Sequence, residues 1–153
     1  MKNYVIDASV AVKWYIPEPL SDAAVSYLEL YRREQAGLIA PDLLITEVGS
    51  VLWKKVGRNE LTAGDAREIA GILVNHCPLR LFPAGELMPA ALELAMTSGL
   101  TVYDSIYLAL AISSEAPLVT ADREIKNLLG SPPFAGQVIL LGDHQDHGVR
   151  PFK

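Results

Sequence analysis

The sequence predicts an α/β protein: a three-layer α/β/α sandwich around a central parallel sheet of four to five strands. Three observations carry this. Short, nearly uncharged apolar runs alternate with longer amphipathic segments along the whole chain, the pattern of strands and helices in repeated βα units. The runs are apolar at successive positions rather than alternate ones, as strands buried on both faces must be. Half of the residues are hydrophobic and mean hydropathy is +0.23, enough in a chain of 153 residues to fill a core on both sides of a sheet.

The elements follow in order. Tyr4 to Ile6 reads as a buried strand. Ser21 to Gln35 reads as a helix, with Ser21 as its N-cap and Gly37 as its stop. Leu38 to Ala40 is a short strand closed by Pro41. Leu43 to Val56 is a helix ending at Gly57. Thr62 to Asn75 is another, with Thr62 and Asp65 at capping spacing. Leu79 to Phe82 reads as a strand. Leu87 to Thr97 reads as a helix, with Pro89 in its first turn and Gly99 as its stop. Asp104 to Ser114 is a helix and Pro117 to Thr120 a strand. Arg123 to Leu129 is a short helix and Val138 to Leu141 the last strand. One domain over 1–142 is expected, then a polar tail over 143–153. There is no repeat, linker or low-complexity tract.

Composition narrows the function classes. Thirteen Lys and Arg stand against 18 Asp and Glu, a net charge of −5. That is not the footprint of a protein that coats duplex DNA. It leaves room for a nucleic-acid enzyme, which needs positive charge only beside its site. No apolar run is long enough to span a membrane, and the N-terminus lacks the apolar region of a signal peptide. The single cysteine, Cys77, excludes an internal disulfide and fits a reducing cytoplasm. With only His76 beside it, Cys77 reads as core or helix-end filler rather than a zinc ligand.

Four acids stand apart from the rest, which fall on polar helix faces or turns. The runs "YVIDASV" and "LVTAD" end their strands on Asp7 and Asp122. Glu47, in "LLITEVGSVLW", is the only acid of a long apolar helix. Asp104 opens the apolar helix "DSIYLALAI". Each has an ordinary structural explanation. Asp104 suits the free N–H groups of a helix start, Asp122 suits a cap, and Asp7 suits a turn with Ser9. Glu47 could face a solvated gap; Lys54, seven residues on, is too far for a helical pair. One cause covers all four. In open α/β sheets, sites form beyond the carboxyl ends of strands, so Asp7 and Asp122 are expected on one rim. Carboxylates gathered there fit a hard divalent cation, Mg²⁺ or Mn²⁺, completed by waters and phosphate. The lack of His and Cys nearby argues against zinc. Thr120 and Ser9 are placed to support the acids through their hydroxyls.

Together "VIDASV", "TEV", "TVYDSIYLALA" and "LVTAD" resemble the PIN-domain ribonucleases, in particular the VapC-like toxins of type II toxin–antitoxin pairs. The motifs run in the family's order from residue 4 to residue 122. The resemblance implies a PIN-like α/β/α fold and an acidic quartet, Asp7, Glu47, Asp104 and Asp122, with Thr120 in the supporting position. It implies a metal-dependent endoribonuclease that uses Mg²⁺ or Mn²⁺ to cut single-stranded regions of RNA, often tRNA or rRNA. A metal-activated water would leave 5′-phosphate and 3′-hydroxyl ends. It further implies a homodimer and a small cognate antitoxin that places a basic side chain in the acidic site. Many relatives carry a bulky aromatic three residues after the last Asp, where this chain has Ile125. All four acids are present.

Gripping RNA calls for cations. Lys13, Lys54, Lys55, Arg58 and Arg123 flank the acidic motifs and are the candidates for phosphate contact; the plain alternative is ordinary surface charge. Trp14 and Tyr15 suit either base stacking, antitoxin contact or packing. Trp53 reads as core. His144, Asp146 and His147 read as a solvated tail rather than a metal motif. Two other functions stay open. An acidic pocket without a metal would make a non-catalytic docking protein for a basic peptide. An aspartyl-phosphate hydrolase would also end its first strand on Asp, but would typically carry a second Asp where this chain has Ser9.

Overall fold

The computed structural model describes residues 1–143. The expected tail, with His144, Asp146 and His147, lies outside the described residues apart from Asp143. The elements are β1 (Lys2–Ile6), α1 (Ala8–Ala11), a 3₁₀ turn (Val12–Trp14), α2 (Ser21–Arg32), β2 (Ala36–Pro41), α3 (Leu43–Gly57) and α4 (Ala63–Asn75). They continue with β3 (Arg80–Phe82), α5 (Ala84–Ser98), α6 (Val102–Ser113), β4 (Leu118–Thr120), α7 (Arg123–Leu129) and β5 (Val138–Leu140).

The five strands form one sheet in the order β3-β2-β1-β4-β5, and every neighbouring pair is parallel. Val5 pairs with Ile39 of β2 on one side and Leu118 of β4 on the other. Parallel pairing sends every connection across a face of the sheet, so both faces are covered and the central strands are buried over the length that the helices cover, Tyr4–Ile6 in β1 and Leu118–Thr120 in β4. Val5, Ile6, Ala40, Leu118 and Val119 are essentially inaccessible. Leu44 and Val48 of α3, Tyr107, Leu108 and Leu110 of α6 and Tyr27 of α2 complete the main core. A smaller cluster, Ala91, Ile106 and Ala109, joins α5 to α6. No single helix among the described residues is long and apolar enough to cross a membrane.

Several local expectations change. Ser21 is the first helical residue, not the cap; the cap position is Leu20, with φ 70°. Ser21 Oγ accepts from the Glu18 backbone N–H at 3.0 Å and so stabilises the loop before the helix. Helix α2 stops at Arg32, and Glu34 takes φ 57°. Gly37 therefore ends no helix and lies inside β2. Helix α5 begins at Ala84, three residues earlier than expected, which places Pro89 in the helix interior rather than its first turn. There it removes one hydrogen bond of the helix and crowds the carbonyl four residues before it. Helix α6 starts at Val102, capped by Thr101, whose Oγ1 accepts from the Asp104 N–H at 3.1 Å. Asp104 is thus the third residue of its helix. No element was expected where α1 and the 3₁₀ turn follow Asp7 directly. Trp53 is not core: it is 74 % exposed.

Candidate active site

The geometry of β1 and β4 builds the floor of a cleft. The strands are adjacent and parallel, so their carboxyl ends share one rim. The Asp7 N–H donates to the Val119 carbonyl at 3.0 Å, which draws the end of β1 onto β4. Asp7 Oδ2 accepts from Ser9 Oγ at 2.7 Å and from Thr120 Oγ1 at 2.8 Å. The same two hydroxyls accept from the backbone of the next turn. Ser9 Oγ takes the Ala121 N–H at 3.0 Å and Thr120 Oγ1 takes the Asp122 N–H at 3.1 Å. Asp7, Ser9 and Thr120 therefore lock the two strand ends to each other through a small polar network, with Thr120 itself inaccessible.

The other acids arrive from helices. Glu47, Ser50, Val51 and Lys54 of α3 line the cleft, which has a volume of about 300 Å³. Their spacing of three, four and seven residues is one face of a helix. Asp104 enters from the first turn of α6 and Asp122 from the start of α7. Asp122 Oδ1 also caps α7, accepting from the Glu124 N–H at 2.9 Å. The capping role foreseen for Asp122 is real and coexists with its place in the cleft, because a carboxylate has a second oxygen to spare.

Electrostatics show what this gathering does. Burial raises the Asp7 pKa above its ordinary 3.8; the hydroxyls of Ser9 and Thr120 and the Ala8 N–H oppose the shift, and Asp122 adds to it. Burial also raises Glu47, reinforced by Asp7 and Asp104. It raises Asp104, reinforced by Asp7, Asp122 and Glu124. The four carboxylates thus share one field, and Asp7 is only 6 % exposed with no ion pair among the described residues. Such a cluster is costly as anions unless protons or a cation compensate it.

Tyr107 lies below Glu47 and was missed in the sequence, although it stands three residues from Asp104 and so on the same helix face. Its hydroxyl and Glu47 face each other and raise or lower each other's proton affinity. Yet Glu47 Oε1 and the Tyr107 hydroxyl are both buried without a completed hydrogen bond. A buried acceptor left open in a carboxylate cleft is the kind of vacancy that an ion or its water fills.

The donor set is all oxygen, and hard cations such as Mg²⁺ take one or two carboxylates and keep several waters. Among the described residues no three acids are already drawn into a closed cage. What the structure offers an ion is one-sided: Asp7, Glu47, Asp104 and Asp122 line a single cleft, and the buried Glu47 Oε1 has an open acceptor position there.

The cations divide into two groups. Lys13 Nζ meets Glu18 Oε1 at 3.1 Å, and Lys55 Nζ meets Glu18 at 3.4 Å and Glu60 at 3.5 Å. These two lysines tie the segment after the 3₁₀ turn to the end of α3 and are engaged by internal carboxylates. Lys54 lines the cleft itself. Lys54, Arg58 and Arg123 are exposed and enter none of the ion pairs among the described residues. Trp14 packs rather than stacks: its indole N–H donates to the Ala24 carbonyl at 2.9 Å.

The PIN domain family model matches residues 4–129. The chain belongs to the PIN-domain family. Within it, Ribonuclease VapC3 of Pyrobaculum aerophilum is 33% identical over 122 residues, covering 79% of this chain and 90% of that one. Exonuclease VapC9 of the same organism is 31% identical over 125 residues, 80% of this chain and 83% of that one. A solved structure, VapBC2 from Rickettsia felis bound to a DNA fragment from their promoter, contains a chain with the same fold. The TM-score is 0.57 at 16% identity, over 82% of this chain and 92% of that chain. The five-stranded parallel sheet flanked by helices is the PIN-like α/β/α fold. This PIN domain is thus VapC-like in sequence.

Proposed function

We propose that this VapC-like protein is a metal-dependent endoribonuclease and the toxin of a toxin–antitoxin pair. The observation that supports it most is the convergence of Asp7, Glu47, Asp104 and Asp122, from four separate segments, on one cleft where Lys54 is the one cation among the described lining residues. The names of the two Pyrobaculum relatives support nuclease chemistry. The substrate is single-stranded RNA of the tRNA or rRNA class.

The four carboxylates would hold Mg²⁺ or Mn²⁺. A bound cation of this kind supplies Lewis acidity, making a water nucleophilic near neutral pH and offsetting phosphate charge. The chain's own residues do the rest. Ser9 and Thr120 fix the rotamer of Asp7, so that its other oxygen faces the cleft. Tyr107 supports Glu47 from below. Lys54 stands where it can meet a phosphate, and Arg58 and Arg123 extend that reach. Lys13 and Lys55 hold the cleft wall through Glu18 rather than touching RNA. The partners on this reading are the RNA, a small antitoxin that brings a cation of its own into the acidic cleft, and a second copy of the chain as a homodimer. The VapBC2 pairing supports the antitoxin by fold likeness. The compartment is the cytoplasm, and residues 1–142 form the single catalytic domain.

The test is incubation of the partner-free protein with total tRNA, with Mg²⁺ or Mn²⁺ and with chelator, beside Asp7→Asn. Metal-dependent internal cutting that the variant loses supports the reading. Trimming only from chain ends would make it an exonuclease. Neither cutting nor Mn²⁺ binding in calorimetry would end the enzyme reading and leave an acidic docking pocket for a basic peptide.

A further inference from the structure

Trp53 is the most exposed large ring of the described residues, at 74 %, and it stands beside the cleft. Its neighbours along α3 are Lys54 and, three residues earlier, Ser50, and both line that cleft. The stripe of α3 that carries Trp53 also carries Gly49 and Gly57, four residues to either side, and all three are exposed. A Cβ added at Gly49 or Gly57 would meet nothing within 4 Å. Packing therefore does not require glycine at either position, and Gly49, inside the helix, weakens it. Bare backbone on both sides of an exposed indole lets a flat group lie against the ring.

Charge identifies the group. Lys54 and Arg58 are four residues apart on one side of Trp53, are exposed, and enter none of the ion pairs among the described residues. In a chain of net charge −5, two free cations beside a free ring match a polyanion that carries planar bases. A protein knob would ask for broad aliphatic surroundings, whereas the half-buried Val56 is the one aliphatic side chain within four residues of Trp53 on its face of α3. Single-stranded RNA is recognised by bases stacked on aromatic side chains while cations hold the phosphates.

We propose that Trp53 is a stacking platform for an unpaired base of the RNA, with Lys54 and Arg58 on the flanking phosphates, so that the strand crosses α3 on its way into the carboxylate cleft. This rests on the ribonuclease reading and adds a specificity-determining residue to it.

The experiment uses the full chain carrying Asp7→Asn, which suppresses cutting, with a short oligouridylate and its abasic analogue as probes. Affinity is measured across a salt series for this protein and for added Trp53→Ala, Trp53→Phe or Lys54→Ala. Trp53→Ala should weaken oligouridylate binding by roughly 5- to 150-fold and leave abasic binding unchanged. Trp53→Phe should restore most of the loss. The salt slope should stay the same for Trp53→Ala and fall by about one for Lys54→Ala. Indole emission should change on RNA binding through Trp53, since Trp14 is held by its bond to Ala24. Equal affinity with Trp53→Ala overturns the proposal. So does loss of a dimer or of a protein partner with Trp53→Ala while RNA affinity stands, which would give the ring to a protein. Wild-type cutting of tRNA, assayed in parallel, separates the two levels. If it persists, only the stacking role falls; if it and metal binding are both absent, the ribonuclease reading falls and the stacking role with it.

Discussion

Replacing Asp7 by Asn should make the metal-free protein more stable while abolishing its activity. The two side chains have the same shape, and an amide oxygen can accept the Ser9 and Thr120 hydroxyls that Asp7 Oδ2 accepts at 2.7 and 2.8 Å. A hydrogen bond to a charged acceptor contributes about 1.5–3 kcal/mol against about 0.5–1.5 for a neutral one, so two bonds forfeit roughly 2 kcal/mol. Against this stands the desolvation of a buried carboxylate, several kcal/mol even after relaxation. The raised pKa of Asp7, with burial as its leading cause, shows that desolvation wins. The variant should therefore gain about 1–3 kcal/mol in chelator at mildly alkaline pH. At roughly 2–4 °C per kcal/mol for a domain of this size, the gain is visible by thermal unfolding. The pH dependence has a fixed sign. An acid whose folded pKa lies above its unfolded value imposes no penalty below the ordinary 3.8. The penalty grows as pH rises through the window between 3.8 and the raised folded value, and is full above it. The advantage of Asn should thus shrink to nothing in acid. Mn²⁺ should reverse the ranking, because only the wild type gains the full binding free energy, about 4.1 kcal/mol at a thousandfold excess over Kd. A variant no more stable than wild type in chelator, or an advantage that ignores pH, would refute the reasoning.

Thr120→Val removes a donor to Asp7 and an acceptor for the Asp122 N–H. It should cost about 1–3 kcal/mol in denaturant unfolding and loosen Mn²⁺ binding in calorimetry. In the wild type, the raised pKa values of Glu47 and Asp104 predict that metal-free stability falls as pH climbs above the ordinary carboxylate range. Thermal unfolding across a pH series checks it, and saturating metal should flatten the curve. Thr62→Ala removes the cap that accepts from Asp65 N–H at 3.1 Å. It should cost about 1 kcal/mol with cutting unchanged, which marks α4 as scaffold. Gly49→Ala should raise stability by roughly 0.5–1 kcal/mol, since its Cβ meets nothing, and denaturant midpoints read it directly.

The order of elements and the parallel sheet were legible because they rest on local pattern. Short uninterrupted apolar runs such as Tyr4–Ile6 and Leu118–Thr120, too short for a helix, read as strands covered on both faces. The errors fall where local signals compete. Ser21 looked like a cap, but its hydroxyl serves the preceding loop. Gly37 looked like a stop, but the chain turned at Glu34 and used the glycine inside a strand. Pro89 looked like a first-turn residue, but Asp42 Oδ1 accepts the Ala84 N–H at 3.0 Å and starts the helix earlier. Trp53 looked like core because large rings in apolar helices commonly are; its position on the turn of α3 facing away from the sheet leaves it in solvent.

By itself the sequence singled out the four acids that the structure brings to one cleft, since one shared site covers four positions that would otherwise need four separate explanations. It also determined that Asp7 and Asp122 share a rim, because parallel strands end on the same side. Only the tertiary structure decided what surrounds them. Thr120 and Asp7 are 113 residues apart in sequence, so no local rule announces their bond. The pairing of Lys13 and Lys55 with Glu18 was equally hidden. Tyr107 beneath Glu47 and Trp53 beside Lys54 were settled the same way: burial is a property of what packs against a helix, and that is fixed only when the whole chain has folded.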